Sequence, residues 1–391
     1  MKHSLQVASE DWREGGFGLY VHWPYCASKC PYCDFNSHVA KEILHQDWRT
    51  AYRHEIERLS KVTAGRVLDS IFLGGGTPST MEPETVEAIV SAARKAWPTR
   101  NTLEVTLEAN PTSVEISKFR DFSQAGVNRV SLGVQSLDSE ALRLLGRRHS
   151  VKDALRAWDI ARNVFDRASF DLIYARQHQD IVAWKVELSR ALALAPSHLS
   201  LYQLTIEDGT AFGDRYKLGK LPGLPSDDAG ADLFELTQEM CHAHGLPAYE
   251  VSNHASHGQE SVHNLIYWRY GDYLGVGPGA HGRLTIGEKR FAQENVRSPD
   301  AWLQSVLADT LIHETTSPLG KPEQASEYLM MSLRLREGTD LNRWERLGGN
   351  QTDPETLDYL VNEGFLWRGA GRMGTTKRGT QVLNALLREL I

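Results

Sequence analysis

Three of the four cysteines in this 391-residue chain, Cys26, Cys30 and Cys33, fall inside the stretch YCASKCPYCDF. Thiolates ligate soft metals and iron–sulfur clusters, so the C-x3-C-x2-C spacing poses a coordination problem. Structural zinc sites are closed and four-coordinate, usually built from paired C-x2-C knuckles. Here there is one such pair, and a zinc site would need Cys241, far along the chain, or a histidine such as His38. A 4Fe–4S cluster wants one ligand per iron. Three cysteines would leave one iron open to a small molecule. Other groups with chemical potential are Glu108 in LEANP, Gln135 in GVQS, Arg147 in LGRRHS and Asp171 in FDLIY. A buried carboxylate is costly unless paired, so such carboxylates suggest a polar ligand, and the Arg147 fork suits a carboxylate.

The elements that must position these groups read as a series of strand–helix units. Short apolar runs occur at 17–23, 68–76, 103–111, 128–134, 168–174 and 198–206, most bounded by Gly, Pro or Asn. Between them lie amphipathic segments such as 84–97 and 151–165, and 113–126 runs from a Ser cap to a terminal Gly. Six units in series imply an α/β fold with a parallel sheet and right-handed crossovers, either a partial (β/α)6 barrel or an open doubly wound sheet. Ligands gather at the carboxyl ends of such strands. Cys26, Gly75, Glu108, Gln135 and Asp171 all fall there, at the ends of otherwise apolar strands. GGGTPS (74–79) lacks the Lys-Ser/Thr of a phosphate-binding loop, and its glycines instead allow close backbone approach to a ligand.

Residues 207–300 are less regular, with a helical pattern at 227–245. From about 322 the order is helix, helix, short hairpin and last helix, a winged-helix-like pattern dense in acidic residues. That density points to a structural or docking role rather than DNA binding. The chain divides into an N-terminal segment (1–16), a core (17–210), an extension (211–310) and a C-terminal module (311–391). An apolar share of 41%, with 10 Trp, 13 Tyr and 11 Phe, is ample for a large core. A net charge of −7 gives no global basic field for nucleic acid. Few cysteines, no signal-peptide core and no uncharged apolar run of roughly 18 residues point to the cytoplasm, with no membrane span.

C-x3-C-x2-C directly after the first strand of such a sheet resembles the mark of the radical S-adenosylmethionine (SAM) superfamily, in which the cosubstrate occupies the open iron. LYVHWPYCASKCPYCDFNSH, IFLGGGTPS, LEANP, AGVNRVSLGVQS, LGRRHS, FDLIY and LYQLTIEDGTAF occur in order, as in the oxygen-independent coproporphyrinogen oxidases and their relatives. The likeness extends from about residue 17 to the C-terminus. It implies a 4Fe–4S cluster on Cys26, Cys30 and Cys33. It also implies SAM contacts at Tyr20, Gly75, Gly76, Thr77, Glu108, Gln135, Arg147 and Asp171. The oxidases carry a further Cys two residues after the third cluster cysteine, where this chain has Phe35, and they have a longer N-terminal extension. HNLIYW (263–268) is similar to the H-N-x-x-Y-W motif of the HemW-type heme chaperones.

That resemblance implies heme as cargo, with His263, Tyr267 and Trp268 as its contacts; if the ligand lies elsewhere, His22, His38 and His281 are the next candidates. It implies apo-hemoproteins such as respiratory-chain components as partners, and it is compatible with a homodimer. The alternatives are a coproporphyrinogen III dehydrogenase and a class C radical SAM methyltransferase. The motif itself follows the sixth unit and so reads as lying outside the strand-end group; its aromatics and histidine also suit an ordinary core. One departure is local: the family's Gly and Leu-Pro after DLIY are replaced here by ARQHQD.

Overall fold

All six apolar runs form strands: β1 Phe17–Trp23, β2 Leu68–Gly75, β3 Thr99–Ala109, β4 Arg129–Gln135, β5 Arg167–Tyr174 and β6 His198–Gln203. In the computed structural model, which describes residues 10–310, 312–349 and 354–391, they lie side by side in chain order, each parallel to the next. Residues 1–9 of the expected N-terminal segment lie outside the described residues. The sheet does not close. It continues beyond β1 through β8 Asp272–Val276, β9 His281–Ile286, β10 Lys289–Asn295 and β11 Glu314–Pro318, and beyond β6 through β7 Asn253–Ala255. Only β8 among these additions is parallel to its older neighbour. The result is a partial (β/α)6 barrel extended into an eleven-stranded open sheet.

Period-2 alternation sends one face of each parallel strand outward and the other inward. Leu19, Val21, Ile71, Leu73, Leu107 and Leu172 share an apolar cluster with helical residues such as Ile56, Ile89 and Trp184. The inward face corrects the reading of otherwise apolar strands: it is polar well below the strand ends. Ser70, Thr106, Arg129, Ser131, Ser169 and Ser200 are all buried there. They satisfy one another, Arg129 Nη2 donating to Ser169 (3.1 Å), Ser169 to Ser131 (3.1 Å) and Ser131 to Asp171 (3.1 Å). Burial is affordable for such groups because each finds a partner.

The helices form for local reasons. Val151–Val164 opens with a capping box between Ser150 and Asp153, and Pro83–Ala96 begins with proline at its first turn. The 113–126 segment differs from expectation: its cap is Thr112, whose hydroxyl takes the Glu115 amide, and Lys118 divides it into two short helices. The C-terminal part contains helices Lys321–Ser332, Leu341–Arg346 and Pro354–Asn362 and two last helices, Lys377–Gln381 and Leu383–Leu390. A small sheet of β12 Thr339–Asp340, β13 Leu366–Gly369 and β14 Arg372–Thr375 adds one strand to the expected hairpin. Its apolar cluster includes Tyr328, Leu329, Leu360, Met373 and Leu386, and takes in Tyr270 from the barrel side. Arg343 bonds Asp11 (2.9 and 2.7 Å) and the carbonyls of Arg269 and Tyr270, fastening this part to the barrel.

β8 and β9 are joined through one carboxylate. Asp272 accepts from Arg66 (2.6 Å) and from the Thr285 amide (2.5 Å) and hydroxyl (2.9 Å), with Arg290 3.5 Å away. Asp272→Ala leaves Arg66 and Arg290 as buried cations without their carboxylate. It should cost about 3–5 kcal/mol of stability in urea-induced unfolding.

Candidate functional site

After β1 the chain leaves the sheet at Pro24 and returns at His38, and the neck of this loop is pinned. Tyr25 and His38 form a bridge, the Cys26 amide donates to His38 O (2.9 Å), and the His38 amide donates to Pro24 O (2.7 Å). Inside the loop each thiol meets a polar group from a different place. Thr77 donates to Cys26 Sγ (3.3 Å), Arg147 Nη1 donates to Cys30 Sγ (3.3 Å), and Ser37 Oγ lies 4.0 Å from Cys33 Sγ. All three cysteines are half-buried, and burial raises the Cys26 and Cys33 thiols. Cys241 belongs elsewhere: it is fully buried in the helix Asp227–Ala243, where burial pushes its thiol up to about 12.

The spread of the sulfurs bears on which metal they fit. Zinc at about 2.3 Å from each sulfur would require thiolates roughly 3.8 Å apart in a tetrahedron. Among the described residues, only Glu55, His313 and Glu314 bring three candidate ligand atoms within 4.8 Å of one another. Cys26, Cys30 and Cys33 are not such a group, so they do not form a ready single-ion site. The Glu55 group is a different object. Arg58 binds Glu55 (2.9 and 2.6 Å) and also Glu314, making it an ion-paired joint between the first long helix and the sheet edge.

Beside the cysteine loop lies a cavity of about 540 Å³, within the range of small-molecule sites. Tyr20, Gly75, Glu108, Tyr267 and Tyr273 line its depth, and Lys29, Phe35, His38, His281 and Arg297 its mouth. Two glycines are required where the walls meet His22. At Gly75 (φ +109°) a Cβ would lie 2.6 Å from the imidazole, and at Gly277 (φ +109°) it would collide with the His22 carbonyl. His22 is held by Tyr20 OH at Nδ1 (2.9 Å) and by Asn36 O at Nε2 (2.9 Å).

Of the sequence-predicted residues, Tyr20, Gly75 and Glu108 meet in this cavity. Glu108 accepts from the Gly75 amide (3.2 Å). Burial, reinforced by the nearby Asp171 charge, pushes its carboxyl up to about 8. Asp171 rises to about 6, chiefly through burial, against stabilising bonds from Ser131 and Ser200. Gly76 and Thr77 sit behind the cysteine loop, their amides bonded to Trp23 O (2.6 Å) and Tyr25 O (2.9 Å). Gln135 and Arg147 flank Gly133, and Gln135 holds a left-handed φ of +67°. Arg147 faces Cys30, Asn110 and Gly133 O (2.9 Å), and among the described residues no carboxylate pairs with it. The altered segment after β5 keeps a left-handed turn without glycine: Ala175 has φ +56° and is buried.

The HNLIYW motif is not outside the strand-end group. It forms the helix Val262–Trp268 inside the barrel, and Tyr267 reaches the same cavity as Tyr20 and Glu108. His263 stacks on Phe72 (4.9 Å) and engages Ser70 at Nδ1 (2.7 Å) and Tyr267 OH at Nε2 (2.8 Å). Burial, then the Arg129 charge, lowers it to about 3. It is a neutral imidazole with both nitrogens taken. Trp268 instead lies under the Arg334 guanidinium, on the side of the C-terminal module.

Asn36 and Tyr273 complete the site without having been singled out, and His22, named only as a further heme candidate, proves to be one of its walls. His22 was discoverable, two residues from Tyr20 and hence on the same strand face. Asn36 sits in an aperiodic loop and carried no such signal.

The Glu108 proton gives a pH test. A carboxyl raised from 4.5 to about 8 keeps its proton in the folded chain while the unfolded chain loses it. Stability from this group is thus present at low pH and falls as pH rises across that window, with Asp171 adding to its lower part. Glu108→Gln should flatten the fall and raise the melting temperature of the cofactor-free protein by about 2 °C at pH 8, with little change at pH 5, by calorimetry.

Residues 20–180 match the Radical SAM superfamily. The chain is 38% identical over 387 residues to the mouse radical S-adenosyl methionine domain-containing protein 1, mitochondrial, covering 95% of this chain and 87% of that protein. It is 37% identical over 375 residues to the heme chaperone HemW of Escherichia coli (94% and 96% covered) and 30% identical over 380 residues to that of Bacillus subtilis (95% and 99%). In fold it resembles the E. coli coproporphyrinogen III oxidase HemN, with a TM-score of 0.79 at 20% identity across 96% of this chain and 90% of that one. Identity of 30–38% to these relatives along nearly the full length of the chain shows that it belongs to the HemW family of radical SAM proteins.

Proposed function

We propose that this protein is a cytoplasmic heme chaperone, which binds heme and passes it to apo-hemoproteins such as components of a respiratory chain. In this reading Cys26, Cys30 and Cys33 hold a 4Fe–4S cluster. Tyr20, Gly75, Gly76, Thr77, Glu108, Gln135, Arg147 and Asp171 surround SAM at the open iron. The observation that carries the cofactor assignment is the set of three thiols on one pinned loop, beside a cavity with a protonatable carboxyl at its depth. When bound, the cluster and SAM supply one-electron chemistry at a sulfonium.

The chain's own residues suit that load. Thr77 and Arg147 donate to the Cys26 and Cys30 sulfurs, as outer hydrogen bonds to metal ligands do. An arriving ligand ammonium would stabilise the charged form of Glu108, so Glu108 would release its proton and pair with the cation. No helix among the described residues is long and apolar enough to cross a membrane. Phe35 supports a chaperone over a dehydrogenase, since it stands where the oxidases carry their further cysteine. The rival is favoured by the fold shared with the coproporphyrinogen oxidase; a radical methyltransferase is the other alternative.

Anaerobic reconstitution followed by heme titration and a coproporphyrinogen III assay tests the proposal. The wild type should carry close to one cluster per chain and bind heme, and should form no protoporphyrinogen with SAM under reducing conditions. Cys26→Ala, Cys30→Ala and Cys33→Ala should each lose the cluster, whereas Cys241→Ala should keep it. Protoporphyrinogen formation would replace the chaperone with the dehydrogenase, and zinc in the wild type would overturn the cluster.

A further inference from the structure

The heme-chaperone reading leaves open which group holds the iron, and the motif histidine has no nitrogen to offer: His263 is buried between Ser70 and Tyr267, both within 2.8 Å. His22 is equally engaged, by Tyr20 and Asn36. His38 shares its Nε2 with Asn36 Oδ1 at 3.2 Å. His281 differs. It lines the cavity mouth with half its side chain exposed, and neither ring nitrogen makes a hydrogen bond among the described residues. The carboxylate nearest it among its ion-pair contacts, Glu294 on β10, is 3.9 Å from Nε2, too far for a hydrogen bond.

The rest of the mouth matches an iron macrocycle bearing carboxylates. Phe35 leaves 56% of its surface exposed beside the cavity, an apolar ring with no packing partner to explain it. Lys29 and Arg297 stand at the same opening, and neither makes an ion pair among the described residues; Asp34 is the acidic group beside them. These parts are fixed relative to one another by Asn36. Its Nδ2 donates to Pro278 O (3.0 Å) and Arg297 O (2.9 Å), and Gly279 presses so close that a Cβ would lie 2.6 Å from it. The residue next to Phe35 therefore ties the turn leading into His281 and the backbone of Arg297 to the cysteine loop.

We propose that His281 is the axial ligand of the heme iron, with the macrocycle seated across the cavity mouth on Phe35 and its propionates facing Arg297 and Lys29. An imidazole with a free nitrogen is a common haem-iron ligand, and an exposed aromatic face suits a planar macrocycle. The seat lies outside the depth lined by Tyr20, Gly75 and Glu108, so cargo and cosubstrate need not displace each other. His263 then acts as a positioning residue that holds Tyr267 at the cavity floor.

The test titrates heme into the full-length, cluster-loaded protein, so that the three thiols are already occupied. Ligation is read by electron paramagnetic resonance and resonance Raman, which separate heme signals from cluster absorbance. His281→Ala should weaken heme binding roughly tenfold or more and change the axial-ligand signature, and added imidazole should restore that signature. Phe35→Ala should weaken binding while leaving the signature unchanged. Cluster absorbance in each variant reports an intact fold. A His281→Ala protein with wild-type affinity and signature would overturn the assignment while leaving the chaperone standing. A wild-type protein that binds no heme would overturn the chaperone reading itself.

Discussion

Glu104, 3% exposed on β3, is the carboxylate on which the inside of the barrel depends. It accepts from the backbone amides of Val262 and His263 (both 3.2 Å), from the Ser261 hydroxyl (3.4 Å) and from Arg167 (2.6 Å). A buried charge is tolerated only when its lone pairs are filled, and here they are. The same bonds satisfy the first amides of the helix Val262–Trp268, which have no partner within the helix. With that helix anchored, His263 lies against Phe72 and Ser70, and Tyr267 is carried to the cavity floor. One ion pair at the lower end of the strands thus sets the depth of the site at the upper end.

The inward face of the parallel strands explains both what was legible in the sequence and what was not. Outward residues such as Leu19, Val21, Ile71 and Leu73 give each strand its apolar signature, and the cysteines betray their chemistry by spacing alone. The strand-end rule likewise brings Gly75 and Glu108 to one cavity, where Tyr20, named from the family resemblance, joins them. The inward serines and Arg129 looked like noise in apolar runs, because their meaning is pairing across strands that are distant in sequence. The same limit applies to HNLIYW. Periodicity marks a short helix there, yet only the Glu104 contact, made across more than 150 positions, places that helix inside the barrel. Arg147 was read as a carboxylate partner from its fork geometry, whereas its protein neighbours are a thiol and two oxygens.

The likeness to the coproporphyrinogen oxidase shows a shared scaffold, and the proposed heme seat uses a few side chains at the cavity mouth of that scaffold. Phe35 lies within the cysteine loop, and His281 and Arg297 come from the sheet extension of β8 to β10 and the segment after it. That extension is unlike the regular units: it grows from β1 on the side opposite β2, and it closes over the loop through Asn36. Varying it changes what the mouth presents without disturbing the strand ends beneath.

The pinned neck of the cysteine loop has a consequence for assembly. Bridging Tyr25 to His38 closes a short loop by backbone bonds alone, none of which involves a thiol. The conformational entropy of gathering three ligands is then spent largely during folding rather than during metallation. The three thiols are thus held on a preorganised loop, and any group they take up, the proposed cluster included, would fill a shaped cradle rather than couple its binding to folding.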